Sequence, residues 1–452
     1  MQLRDVSLIQ FITFVTTILL GSVLANRFTD LTGLGAIYDS KRILVLCFIG
    51  FSTFLLCMVK KLYIELPTVK QSLIITATLS CAIISAILSD HPYWGLVEIS
   101  NILMLLIACS IFYNWVQIVT RHELTCLLFF SAVLFSAFHF TSYLLYLLFS
   151  YFEGNSLGNV TLVSGYDNIR FFNQLQVVVY PFLSLVVFIE SLKKYKKIAL
   201  LLASLHCLVL LQTEARGAIL ALVFSSILVG FYLCSKHKSQ FGCFIIKSFS
   251  FGFILWGVLI ALIPFLLFSD SDMALRTSSS GRLELWAYAI NNIIERPWAG
   301  FGPMSFAWAA DRPLPNAHLH NSILQLLYEY GIPICIMILG IFFMYLKHLL
   351  GQLAIPDEKL ESITFSIVAV SVYSLFSGVL VMPFTQLLLS LVIALSLSNK
   401  QNRKKHLIGV KGKIVIILVT IFCLSMVLGS YEHNALKNTQ HPRVWLNGAI
   451  EF

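Results

Sequence analysis

A chain of 452 residues with 58% hydrophobic and 12% charged content is excluded from the ordinary soluble globular class, where roughly 25% of residues are charged. Its mean hydropathy of +0.85 points to a polytopic helical membrane protein, whose apolar segments are organised by the bilayer and not by one core. The formal net charge of +9 sits in lysine clusters between apolar runs, so topology accounts for it and no nucleic-acid partner is expected. The ten cysteines mostly lie in or beside apolar runs with no C-x-x-C pair and read as unpaired small hydrophobes.

Runs near the length of about 20 residues that crosses a hydrocarbon core fall at 6–25, 43–59, 71–89, 94–113, 124–150, 174–192 and 198–213. Others follow at 217–234, 245–268, 322–346, 362–380, 383–398 and 414–430. They predict an all-α bundle of about 12–13 transmembrane helices. Residues 1–268 form its first part, 269–321 one large loop, and 322–452 the remaining helices and a C-terminal tail. The first run has no small-residue cleavage site placed after it and is predicted to be retained.

Lysine and arginine set the orientation, because inner loops keep positive charge. Lys60, Lys61, Arg121, the KKYKK run at 193–197, Lys236, Lys238, Lys347 and the lysines of 400–413 fall on alternate loops. Lys41 and Arg42 fall on the opposite side and are expected to snorkel from the end of the second span. On the outward-facing segments between 151 and 321 the strong cations are all arginine: Arg170, Arg216, Arg276, Arg282, Arg296 and Arg312. Arginine binds phosphate bidentately and keeps its charge when partly desolvated.

The stretch 269–331 is the long polar interval of the chain, with four arginines, two histidines and no lysine. Within 281–296, apolar residues at Leu283, Trp286, Ala289, Ile290 and Ile293 follow a helical period, so an amphipathic helix lying on the membrane surface is expected. Pro297, Gly300 and Gly302 end it, and Pro313 and Pro315 hold the next segment extended up to the histidines. Ser322 and Gln325 have capping-box spacing at the mouth of the following span.

Several residues carry candidate chemistry. Arg216, in Gln212-Thr213-Glu214-Ala215-Arg216-Gly217, is read as a buried or half-buried charge at a membrane boundary, which is costly and marks function more often than a structural pair with Glu214. Arg282 begins the amphipathic helix, where it serves either a phosphate or the lipid headgroups. His318 and His320 are two residues apart and project to one side of an extended segment. Position favours His320 as a general base, since a helix N-terminus disfavours the imidazolium. Arg170, Asn173 and Gln174 form a polar cluster at the start of a span, suited to a polar ligand or simply to starting the helix. Asp270-Ser271-Asp272 has the D-x-D form of metal-dependent glycosyltransferases, but paired acids are common at span ends, and no metal and no cofactor is assigned. Walker, Rossmann and G-x-S-x-G elements are absent from the sequence. The reading is an enzyme that acts on a lipid phosphate and draws its energy from the substrate.

Thr213-x-x-Arg216-Gly217, Gly281-Arg282 with Trp286 and Pro297, and Asn316-Ala317-His318-Leu319-His320-Asn321 followed by Gly331 resemble the signature of the O-antigen ligase and polymerase superfamily. Gly331-Ile332-Pro333-Ile334 departs from it by lacking a second glycine, which leaves the local helix geometry open. The resemblance implies a GT-C-like, inverting, metal-independent glycosyltransferase of the bacterial inner membrane, with its active site facing the periplasm. A ligase of this kind transfers O-antigen from undecaprenyl pyrophosphate to a sugar hydroxyl of lipid A-core. It implies His320 as base and Arg216 and Arg282 as diphosphate ligands; Arg170, Asn173, Gln174, His318 and Asn321 are read beside it as substrate-binding residues. The expected partners are the lipid-linked glycan donor, the lipid A-core acceptor and membrane lipid. Close alternatives are an O-antigen polymerase and a protein O-oligosaccharyltransferase. A non-enzymatic polyprenyl-lipid transporter is disfavoured, because no internal repeat stands out and the polar residues gather in a loop and not at mid-span.

Overall fold

The computed structural model describes residues 3–60, 62–65, 69–116, 119–154, 162–267, 281–354, 360–397, 405–431 and 443–447. Among them, nine helices are long and apolar enough to cross a membrane: Leu3–Ser22, Ile37–Cys57, Pro92–Val116, His122–Phe152, Ile169–Phe188, Glu190–Gln212, Ser235–Leu267, Ser322–Gln352 and Val410–Gly429. Four shorter apolar helices, Ser72–Ile87, Arg216–Tyr232, Leu360–Tyr373 and Pro383–Leu397, accompany them. Each apolar run of the sequence corresponds to one of these helices. The protein is an all-α polytopic membrane protein, as expected of a chain that must satisfy its backbone groups within each segment. One short antiparallel ribbon pairs Leu62–Glu65 with Lys405–Ile408, Leu62 opposite Ile408. All ten cysteines are free thiols.

The chain groups into two compact units. One contains residues 1–118, 279–344 and 380–452, and the other residues 119–278 and 345–379.

In the first unit the Ile37–Cys57 helix starts well ahead of its apolar run and draws Lys41 and Arg42 inside it. Arg42 is 1% exposed, so it does not snorkel; a buried guanidinium must instead be met by acceptors. Its Nη1 donates to Asn101 Oδ1 at 3.1 Å and to Gln386 Oε1, its Nη2 to the Val381 carbonyl at 2.7 Å, and its Nε to the Val444 carbonyl at 3.2 Å. Lys41 is also buried, with its ammonium 5.7 Å from the centroid of the Phe384 ring. The reason for both departures is the C-terminal segment. Asp39 accepts from the backbone N–H groups of Leu446 and Asn447 at 2.6 and 3.0 Å, and Trp445 Nε1 donates to Ser430 Oγ at 2.8 Å. Arg443 donates to Glu329 at 2.6 Å and to Glu98 at 3.2 Å. Burial works against its charge, but the two carboxylates outweigh that and hold its pKa above the ordinary value. Residues 443–447 are thus part of the packed unit, not a trailing tail.

The Ser322–Gln352 helix is broken at Gly331, whose φ of 77° and ψ of 174° leave the helical region. The break is filled by the segment 297–302. Phe301 N donates to the Tyr328 carbonyl at 2.9 Å, Gly302 N to the Glu329 carbonyl at 2.8 Å, and Ile332 N to the Pro297 carbonyl at 2.8 Å. Ser85 Oγ donates to the Ala299 carbonyl at 2.6 Å and the Glu329 carbonyl at 3.2 Å, tying in the Ser72–Ile87 helix. The two backbones approach so closely that a Cβ at Gly331 would lie 2.6 Å from the Trp298 carbonyl oxygen. The second glycine of the crossing is Gly300, where a Cβ would lie 2.5 Å from the Glu329 carbonyl oxygen.

In the second unit the Ile169–Phe188 helix is central, with 94% of its apolar window buried. It packs on the neighbouring helices Lys196–Gln212 and Leu360–Tyr373. A chain of polar side chains crosses this apolar interior. Asn173 Nδ2 donates to Thr213 Oγ1 at 3.2 Å and to Gln176 Oε1 at 3.0 Å, Gln176 Nε2 meets His206 Nδ1 at 3.1 Å, and His206 Nε2 meets Ser136 Oγ at 2.9 Å. Each of these side chains makes at least one hydrogen bond to another, which offsets much of the cost of burying them; Asn173 Oδ1 is the atom left without a partner among the described residues.

Gly331→Ala is expected to cost about 3 kcal/mol, from the left-handed φ and the clash with fixed backbone, and to lower the melting temperature of the detergent-solubilised protein by several degrees. Gly340→Ala, where no atom lies within 4 Å of the added Cβ, serves as the control and should melt like the wild type. Arg443→Ala should cost about 3–5 kcal/mol by stranding buried carboxylates, and adding Glu329→Gln should recover part of it in the same melt.

Candidate functional site

The histidine arm of the first unit is built from residues 316–321 and the Arg282–Ile293 helix. Leu285 and Ala289 of that helix are fully buried with Phe306, Leu319 and Tyr328, and Trp286 Nε1 donates to the Leu319 carbonyl at 2.9 Å. The apolar residues of the helix thus divide between the protein interior and its outer side. Leu285 lies inside, whereas Leu283 and Ile290 are 62% and 52% exposed and continue through Ile294 and Trp298 as an apolar stripe at helical spacing. Gly281 caps the helix with φ +72°, and the space its missing side chain leaves is taken by Leu314. Arg282 is half-buried directly after it.

His320 has a left-handed φ of +54°, uncommon for a residue with a side chain and found most where function holds it. The extended segment expected here therefore ends in a sharp turn. Both histidines still face one another, with ring centroids 4.2 Å apart. Asn316 Nδ2 sits 2.9 Å from His320 Nε2; an amide N–H in that position donates to an unprotonated ring nitrogen and so fits the neutral imidazole. The helix cap is Asn321 and not Ser322. Asn321 Oδ1 accepts from Ile323 N at 3.0 Å and Leu324 N at 3.1 Å, while Gln325 Nε2 is turned to Glu329 at 3.4 Å. Nearby, Tyr288 donates to Asp311 at 2.6 Å, burial and that contact pushing the phenol pKa above its ordinary value. Burial pulls the Arg312 guanidinium below its own.

The second unit holds the other candidates. Arg216 is exposed, not buried, as the first residue of the Arg216–Tyr232 helix. The chain reaches it through Glu214 at φ +49°, with Arg216 N donating to the Glu214 carbonyl at 2.8 Å. Thr213, on the near side of this turn, is held by Asn173. On the far side Gly217 lies against Phe376, whose Cβ would be 2.9 Å from an added Cβ. Gln174 Nε2 donates to Ser377 Oγ at 3.0 Å, and Asn168 caps the helix start beneath Arg170 by accepting from its backbone N–H at 2.9 Å. Asn173 and Gln174 are buried and fasten protein segments together; Arg170 is half-buried and Arg216 exposed. Among the described residues no group of three or more His, Cys, Asp or Glu side chains is placed to hold a metal ion. Asp270 and Asp272 lie outside the described residues.

Sequence reasoning passed over Gln176, His206, Ser136, Glu98, Glu329 and Arg443. Polar residues inside apolar runs were the available signal for the first five, whereas Arg443 gave none.

Arg216, Arg282, His318 and His320 all fall in one continuous stretch of the chain. Residues 198–339 match the family model for O-antigen ligase. A protein of Rickettsia conorii named as a polysaccharide ligase is 35% identical over 94 residues, covering 18% of this chain and 23% of that protein. The aligned part is thus under a quarter of that relative's length. The ligase-family resemblance read from the motifs at 213–217 and 316–331 is borne out over the matched residues.

Asn321→Ala should lower stability by about 1 kcal/mol, the usual worth of an N-cap, while Asn321→Asp keeps the acceptor and most of the stability. Chemical or thermal melts of the two variants side by side check this, and equal melting of both would contradict the capping role.

Proposed function

We propose that the protein is an O-antigen ligase, moving a polysaccharide from undecaprenyl pyrophosphate to a sugar hydroxyl of lipid A-core at the periplasmic face of the bacterial inner membrane. The observation that carries this reading is the presentation of His320, held on a left-handed turn at the head of a capped helix with Nε2 against Asn316, inside the stretch that matches the ligase family. A neutral histidine in that position suits general-base work.

In the proposed reaction the acceptor hydroxyl replaces the Asn316 amide at His320 Nε2, and that nitrogen accepts the hydroxyl proton. The hydroxyl oxygen forms its bond to the anomeric carbon of the donor sugar from the side opposite the carrier, and the bond from that carbon to the pyrophosphate oxygen breaks, inverting the configuration. The electron pair leaves with undecaprenyl pyrophosphate. Arg282 binds the diphosphate and stabilises the charge that develops on it; Arg216, in the second unit, is assigned a phosphate-binding role of its own. Substrate roles for Arg170, His318 and Asn321 belong to the same proposal, with Asn173 and Gln174 acting through the segments they fasten. No nucleotide or metal is required, since cleavage of the glycosyl pyrophosphate supplies the driving force.

His320→Ala should lower transfer by a factor on the order of a hundred to ten thousand with the protein still inserted and the donor still bound; near-normal turnover would sink the base assignment. Arg216→Lys should also lose most activity if the phosphate contact is bidentate. In a deletion strain, lipopolysaccharide gels should show core without polymer while full-length polymer remains on the lipid carrier. Core bearing a single repeat would instead identify a polymerase.

A further inference from the structure

A cavity of about 500 Å3 opens in the first unit just ahead of the histidine arm, with Trp308, Arg312, Pro313, Leu314 and Pro315 in its wall. That volume is within the range of about 300–1,000 Å3 common for small-molecule sites. The C-terminal end of the wall, at Leu314 and Pro315, is fastened to residues of the proposed chemistry. Pro315 leads straight into Asn316, which meets the His320 ring at 2.9 Å, and Leu314 packs into the space at Gly281, immediately before Arg282.

Two side chains give the cavity its character. Trp308 packs against Trp94, with ring centroids 4.9 Å apart, and against His91 at 5.3 Å, so the indole is held as a fixed surface. Arg312 Nη1 donates to the Ala307 carbonyl and, at 3.2 Å, to the Ala309 carbonyl. The guanidinium is thereby oriented, and its Nε is a buried donor with no partner among the described residues. A rigid indole beside a fixed, forked donor is suited to a pyranose ring, whose axial C–H groups lie on aromatic faces while its hydroxyl or carboxylate oxygens take guanidinium hydrogen bonds. It is poorly suited to a diphosphate. Only one arginine lines it, half of that donor is committed to backbone, and the neighbouring Asp311 brings a negative charge.

We propose that this cavity is a glycan subsite, seating one sugar ring of a substrate on Trp308 with Arg312 as its polar anchor. The inference rests on the glycosyl-transfer reading above and adds the residues that hold the sugar. The donor glycan and the acceptor core share this chemistry, and kinetics separate them.

Trp308→Ala should raise KM about tenfold for one of the two glycan substrates while kcat stays near the wild-type value, and Trp308→Phe should restore most of the loss by keeping an aromatic face. Arg312→Gln should raise the same KM. A rise confined to the acceptor assigns the cavity to the core sugar, and one confined to the donor assigns it to the O-antigen; unchanged KM values, or a fall in kcat alone, would overturn the proposal. A second measurement needs no catalysis. In 5-fluorotryptophan-labelled wild-type protein, the Trp308 fluorine resonance, identified by its loss in Trp308→Phe, should shift on adding either core oligosaccharide freed of lipid A or O-antigen polysaccharide freed of its carrier. A resonance unmoved by both rules out the subsite. If it shifts but the wild type transfers no glycan, the subsite stands and the transferase reading fails.

Discussion

The first unit depends on a backbone lock. Three hydrogen bonds join 297–302 to the broken helix at 328–332, and they form only because Gly331 and Gly300 let two main chains approach where any side chain would collide. On one side of the lock the helix runs back to its cap at Asn321 and so to His320. On the other, 297–302 fixes the end of the Arg282–Ile293 helix, whose Trp286 returns to the Leu319 carbonyl. The loop and the span are therefore closed into one ring of contacts, and the position of the histidine follows from backbone geometry more than from its own side-chain bonds. Strain at His320 can persist because the elements on both sides of it are already fixed.

Buried charge supports the same lock from below. Glu329, two residues before the break, is paired with Arg443, and Arg42 holds the carbonyl of Val444 beside it. Pairs of this kind contribute little net stability compared with apolar packing, yet removing one partner is costly. They specify which chain segment closes the unit. The C-terminal residues are drawn into it through Asp39, Arg42 and Glu329, three groups that would be expensive in an apolar interior without those partners.

Much of this was legible in the sequence. Length and hydropathy gave every membrane helix, because the bilayer imposes a length that side-chain detail does not alter. The facing pair His318 and His320 followed from their spacing; the break at Gly331 did not, because 322–346 reads as one continuous apolar span. Arg42 reads as a snorkelling end residue, Ser322 as the cap and Arg216 as buried or half-buried, and the structure differs at all three. The distant carbonyls of Val381 and Val444 define the site of Arg42. Trp286 and Leu319 set the rotation of the Arg282–Ile293 helix, and Asn321, one residue earlier than Ser322, has the better acceptor geometry. The polar chain from Thr213 through Asn173, Gln176 and His206 to Ser136 was likewise invisible as a unit, since its members come from separate helices.

The activity proposed for this chain is the transfer of glycan from a lipid carrier. The most direct measurement is a reaction of the purified protein in detergent with the undecaprenyl-pyrophosphate-linked polysaccharide and lipid A-core, carried out in excess EDTA and without nucleotide. The expected product is polysaccharide joined to lipid A-core through an inverted linkage, with undecaprenyl pyrophosphate released in equal amount. An intact carrier-linked polymer at the end of the reaction, or transfer that appears only when a divalent metal or ATP is restored, would contradict it.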